Sequence, residues 1–189
     1  MKIKLITISI IAYMLLLLQA CKKDNPKPVN EEEVITTVIL TFTPSDGSSI
    51  KYISYKDITP DDTAGQLISS DTLERNKSYT MTVSILNETF TPAQNITAEI
   101  HNEGTEHQFF FIQNPSGLFS ILDYNDKDEN DNPIGLINKA TTIDAESTGT
   151  IRVLLRHEPL KLGISVPDGD ITNAEGETDL DVTLPVVIR

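Results

Sequence analysis

Over residues 179–188, Leu180, Val182, Leu184, Val186 and Ile188 alternate with Asp179, Asp181, Thr183, Pro185 and Val187. Successive side chains of an extended chain point to opposite faces, so this pattern is a strand with one face in a core. The same period of two recurs. Val34, Val38, Leu40 and Phe42 share one parity, as do Tyr79, Met81, Val83 and Ile85. In the segment 149–157, Ile151, Val153 and Leu155 alternate with Arg152, Leu154 and Arg156. Weaker strand candidates are Ile50–Lys56, His107–Gln113, Leu118–Tyr124 and Ile134–Thr141. About eight short strands with polar turns and no strand–helix–strand rhythm predict an all-β fold. The expected architecture is an antiparallel β-sandwich of immunoglobulin-like, Greek-key type. Pro185 has no N–H to give a ladder, so it belongs on an edge strand or on the free side of its strand.

One segment departs from this period. In "TPAQNITAEIHNEG", Thr91, Pro92 and Gln94 have the spacing of an N-cap, a first helical residue and a capping-box partner. Ile96 and Ile100 are one turn apart and Gly104 is a C-terminal stop, which predicts one short helix inside Pro92–Glu103. In "HQFFFIQN", Phe110 alternates out of phase with Phe109 and Phe111. That strand either has both faces covered or carries a hydrophobic contact site.

The start of the chain has a different character. Lys2 and Lys4 precede an apolar run from Leu5 to Leu18, fourteen residues. As helix this is roughly 21 Å long, short of a hydrocarbon core of ~30 Å, and it reads as a cleaved signal peptide over residues 1–20. Leu18, Gln19, Ala20 and Cys21 resemble the lipobox of bacterial lipoproteins. That resemblance implies cleavage between Ala20 and Cys21, a diacylglycerol on the Cys21 thiol, and acylation of its amine, palmitate being the usual chain. The lone cysteine of an exported chain has no internal partner for a disulfide, and each buried CH₂ of a lipid adds ~0.8 kcal/mol of membrane affinity. Lys22 in place of an aspartate favours the outer membrane, on its periplasmic face or at the cell surface. Residues 21–33, with two prolines and a single apolar residue beyond the cysteine, form a flexible tether. The 156 residues from Val34 to Arg189 suffice for one core.

Without the leader the chain has 13 basic and 28 acidic residues, a net charge of −15. Such a surface does not bind nucleic acid and is repelled by anionic lipid, so the lipid on Cys21 is the expected membrane contact. Oxygen-bearing side chains alternate at Asp126, Asp128, Asn130 and Asn132 as in a calcium loop, although Asp131 and Ile137 occupy its glycine and glutamate positions. A polar hairpin tip is the alternative. Asp168, Asp170, Glu175, Glu177 and Asp179 form a second acidic loop that could chelate a hard cation, a solvated loop leading into the last strand being the alternative. His107, with Glu103 and Glu106 nearby, and His157 in "RHEP" are candidates for a mixed histidine–carboxylate metal site. Thr63 and Thr72 follow aspartates in a pattern that resembles bacterial O-glycosylation acceptors. There is no nucleophile elbow and no phosphate loop, so enzymatic chemistry is reduced to paired carboxylates acting in a hydrolase.

Read in order, "NEEEVITTV", "NETFTPAQNIT", "EHQFFF", "NPIGL", "LRHEP" and "DGDITNAEGETDLDV" resemble a family of uncharacterised Gram-negative outer-membrane lipoproteins. Some of its members carry the label of a type 1 periplasmic-binding fold. That fold is α/β with parallel strands, whereas the period here is two. The resemblance implies an exported lipoprotein and no catalytic residues. The expected function is a non-enzymatic module that binds a ligand or partner protein, as accessory to an outer-membrane transporter. A structural or adhesive surface lipoprotein is the second expectation, and the carboxylate hydrolase the third. Changing Cys21 to Ser should abolish palmitate labelling and release the protein from the membrane fraction. Unchanged labelling would refute lipidation.

Overall fold

The computed structural model describes residues 33–59 and 65–189. The leader, Ala20, Cys21, the tether up to residue 32, and Thr63 lie outside the described residues. Eleven strands and one α-helix occur among the described residues: β1 Thr37–Pro44, β2 Lys51–Lys56, β3 Leu67–Ser70, β4 Thr72–Leu73, β5 Ser78–Asn87, β6 Gln94–Asn95, α1 Ile96–Asn102, β7 His107–Asn114, β8 Phe119–Tyr124, β9 Ile137–Thr142, β10 Ser147–His157 and β11 Glu177–Ile188. They form two sheets. One has the order β3-β2-β1-β5-β9-β8 with β6 added to β5, and the other β4-β11-β10-β7. All pairings are antiparallel except the two-residue match of β4 with β11. In β5-β1-β2-β3, a later strand returns beside the first of three consecutive ones, which is a Greek key.

The alternating residues build the core between the sheets. Val38, Leu40 and Phe42 of β1, Tyr79, Met81, Val83 and Ile85 of β5, and Ile151, Val153 and Leu155 of β10 are buried, as are the apolar residues of β11 from Leu180 to Ile188 that share its inner face. Registers such as Leu40↔Val83 and Phe42↔Met81 keep inward residues opposite one another. Each such side chain contributes about 1.5–3 kcal/mol on burial. The Phe42 ring lies parallel to Phe119 at 6.0 Å and edge-on to Tyr79 at 5.8 Å. Val34 is an exception, half exposed, because β1 begins only at Thr37.

Pro185 lies on the free side of β11. Its carbonyl accepts from Ser70 Oγ at 3.1 Å, away from β10. The N–H and C=O of a strand residue point the same way, so the missing donor is also on that side. The helix is shorter than the capping pattern predicts. Gln94 and Asn95 pair with β5, and the helix starts at Ile96 behind Asn95, which makes no side-chain cap. Its buried residues, Ile96 and Ile100, are the expected ones.

Phe110 is fully buried. With Leu154, Val166 and Ala174 it forms a second, smaller core on the outer face of β7 and β10, against which Ile171 packs. The chain between β10 and β11 covers that face with two 3-10 helices, Val166–Asp168 and Ile171–Asn173. Both faces of the strand are therefore closed at Phe110, while Ile112, further along the outer face, is exposed.

This covering segment is held by a buried lysine. Lys161 Nζ donates to the Gly104 carbonyl, to Pro133 O at 3.0 Å and to Asp128 Oδ2 at 2.9 Å. One ammonium thus joins the end of α1, the tip of the β8–β9 connection and the cover. The side chains of Lys161 and Asp128 are 5% and 1% exposed, so each would be an uncompensated buried charge without the other. Burial acts to raise the Asp128 carboxyl, but Lys161 and the amides of Asn132 and Asn130 outweigh it and hold it below the ordinary range. Removing one partner of a buried ion pair typically costs 3–5 kcal/mol. Lys161→Ala should therefore lower the melting temperature by about 6–20 °C in a domain of this size. A shift under about 2 °C would show that the ion pair does not hold the cover.

Candidate metal centre

Strands β7 and β10 run in continuous register, with Leu155 opposite Phe109 and His157 opposite His107. Leu155 and Phe109 face the core. Two residues further along each strand, the same face presents the two imidazoles, with ring centroids 4.8 Å apart. The core pairs thus give way to a histidine pair at the end of the sheet.

The third member comes from β11 through an irregularity. Leu155 pairs with Leu180 and Arg156 with Thr178, leaving Asp179 as the extra residue of a β-bulge. Strict alternation places Asp179 outward with Asp181, whose carboxylate receives Arg152 Nε at 2.7 Å. A bulge re-aims the side chain of the inserted residue. Asp179 is accordingly only 7% exposed at its side chain, with Oδ2 3.7 Å from His107 Nε2 and 3.8 Å from His157 Nδ1.

A backbone carbonyl sets the protonation of His107. Its Nδ1 lies 3.1 Å from Glu103 O, and a carbonyl only accepts, so Nδ1 carries the hydrogen. Burial pushes the ring toward its neutral form, with the Glu103 bond and Asp179 acting in the opposite direction and His157 adding to the burial. In that neutral form Nε2 carries the lone pair. It is buried, has no hydrogen-bond partner among the described residues, and faces a carboxylate oxygen. A ring nitrogen facing a carboxylate oxygen at this distance can be bridged by a proton on the ring or by a bound cation.

Two further carboxylates approach the same ring. Glu33, Glu103 and His107 each offer a ligand atom within 4.8 Å of the others, as do His107, His157 and Asp179. Glu33 Oε2 is buried without a hydrogen-bond partner among the described residues. Its carboxyl is pushed up to about 7, first by burial and then by the charges of Asp179, Glu103 and Glu99. Donors bound at 2.0–2.2 Å in a tetrahedron stand roughly 3.3–3.6 Å apart, so 3.7 and 3.8 Å require only a small contraction. Two imidazoles with carboxylate suit zinc and similar first-row ions better than calcium, which takes six to eight oxygens.

The other candidates are dispersed. Asp126 accepts the amides of Gly135 and Leu136, both at 2.9 Å, and so clamps the turn that leads into β9. Asp128 accepts the amides of Asn130 and Asn132, at 2.8 and 3.0 Å, besides Lys161. The carboxylates of the calcium-like segment are thus engaged by protein donors. Of the second acidic loop only Asp179 reaches the histidines; Asp170 caps the turn at Thr172. Thr72 is exposed on β4. An open groove of about 740 Å³ runs between Tyr124, Asp126 and Pro167, apart from the histidines.

Sequence reasoning named the two histidines, Glu103 and Asp179, but set Asp179 in a separate acidic loop and passed over Glu33. Asp179 was masked by an alternation that it breaks, and Glu33 by the charge run around it. Compared with protein-family models, with curated proteins and with solved structures, the chain matches none.

Proposed function

We propose that this is a lipid-anchored, non-enzymatic module of the outer membrane that binds a divalent transition-metal ion of the zinc class through His107, His157 and Asp179. The observation that carries the reading is the convergence of His107, His157 and Asp179, with the buried Nε2 of His107 3.7 Å from Asp179 Oδ2. The bond from Nδ1 to Glu103 O is the outer-shell contact that orients a metal-binding histidine and selects its tautomer. The membrane assignment rests on Leu18–Cys21 and the apolar run before it. No helix among the described residues is long and apolar enough to cross a membrane. A metal-binding domain on a tether suits capture and delivery to an outer-membrane transporter.

The depth of the site favours a second reading. Side-chain exposures of 1%, 12% and 7% are those of a structural ion that staples β7, β10 and β11 together. That would suit an adhesive or structural surface lipoprotein. The two readings differ in exchange. A delivered ion leaves to a chelator within minutes, and a structural one leaves only on unfolding.

Melting the full chain in detergent tests the common claim. After treatment with EDTA, zinc at a hundredfold excess over its dissociation constant should stabilise the fold by ~2.7 kcal/mol. That corresponds to an increase of about 5–10 °C in melting temperature. His107→Gln and His157→Gln should remove most of the increase while the metal-free melt stays cooperative. An equal increase in both variants, or no increase in the parent chain, would reject the site.

A further inference from the structure

We infer that the open edge of the sandwich, between β7 and β8, is a binding site for a small organic amine, held by Asn138 and Asp168. None of its residues belongs to the histidine centre, so it stands whether or not the histidines bind metal.

Strand β7 is the last strand of one sheet and β8 the last of the other. Between them lies a chamber of about 190 Å³. Phe111 and Leu122, both packed against the core, give it apolar walls. The cover contributes Asp168 and Gly169. Gly169, at φ 90°, passes so close to Tyr124 that a Cβ there would lie 3.3 Å from the hydroxyl oxygen. The chamber shares Leu122, Tyr124 and Asp168 with the larger groove of about 740 Å³, and so opens into it.

Asn138 of β9 lines the chamber and is 1% exposed. Its Nδ2 donates to the Gly135 carbonyl at 2.8 Å, which identifies the other amide atom as the acceptor oxygen. That oxygen, Oδ1, is buried and has no hydrogen-bond partner among the described residues. Neighbouring polar atoms are already engaged. Gln113 Oε1 accepts the Phe119 amide at 2.9 Å, and the Tyr124 hydroxyl donates to the Phe109 carbonyl. A buried acceptor left unpaired keeps its desolvation penalty, so the chamber calls for a donor from outside.

Charge decides which donor. Asp123, Asp126, Asp131 and Asp168 line the groove and chamber against a single cation, Lys127. An anion is repelled there, and a neutral hydroxyl gains nothing from Asp168. An ammonium group donates to Oδ1, is attracted by Asp168, and lays its hydrocarbon stem against Phe111 and Leu122. Pockets for drug-sized ligands measure about 300–1,000 Å³, so this chamber takes one ammonium on a short stem.

The test titrates the full chain in detergent with butylamine, butanol and butyrate, at one ionic strength set with sodium chloride. NMR shifts of the backbone amides of Phe111, Leu122 and position 138 report binding. Butylamine should give a saturable, one-site shift. Butanol brings no charge and should bind at least about tenfold more weakly, and butyrate should not bind. Asn138→Ala should weaken butylamine binding by about tenfold. Asp168→Asn, at an exposed residue, should weaken it about threefold with an unchanged melting temperature. His107→Gln should bind butylamine as the parent does. If Asn138→Ala does not melt cooperatively, Asp168→Asn decides. No saturable shift, equal affinity for all three probes, or parent-like binding in the Asn138 and Asp168 variants would overturn the inference. So would crystals soaked in butylamine that show only an ordered water against Oδ1.

Discussion

Strand β10 is the constraint on which the second sheet depends. It is paired along its length, with β11 on one side over residues 147–157 and with β7 on the other over 150–157. Its register therefore decides which face of three strands meets the core. Ile151, Val153 and Leu155 commit the inner face, and a slip of one residue would turn all of them outward. The same commitment delivers His157 to the inner face and places it opposite His107. Thus the histidine pair is set by hydrophobic register and needs no contact of its own.

Asp179 joins them because β11 does not keep step to its end. The bulge between Leu180 and Thr178 inserts one residue and brings a carboxylate to a face that alternation reserves for apolar groups. Burying a charge there is costly unless it is paired, and the rings of His107 and His157 lie 3.7 and 3.8 Å from it. The cover over the opposite face faces the same problem at Asp128 and solves it with Lys161, whose ammonium fits among one carboxylate and two carbonyls. The molecule thus holds two buried carboxylate centres. At one, Lys161 supplies the cation; at the other, Asp179 lies beside two histidine rings.

Much of this fold could be read from period two alone. The inward residues of β1, β5, β10 and β11 follow it from Val38 onward, and the free side of Pro185 follows from its missing donor. The shortfalls share a cause: each depends on contacts remote in sequence. The helix begins later than its capping pattern because Gln94 and Asn95 pair with β5. Alternation leaves Phe110 either covered or a contact site, and residues 166–174 supply the cover. Asp126 and Asp128 have the spacing of calcium ligands, but their nearest donors are amides of their own turn and a lysine 33 residues on. Asp179 was read in an acidic loop and not with the histidines, because the bulge that turns it inward leaves no mark in the alternation. The histidines were found because there are only three in the chain.

The proposed metal centre takes its two rings from neighbouring strands and its carboxylate from the last one. The central claim is that the carboxylate and the two rings share one ion. Diffraction from crystals grown with zinc, recorded on both sides of its absorption edge, tests this most directly. The account predicts one anomalous peak about 2.0–2.2 Å from His107 Nε2, from a ring nitrogen of His157 and from an Asp179 oxygen. Zinc peaks only on the exposed acidic loops, with none between these three side chains, would contradict it.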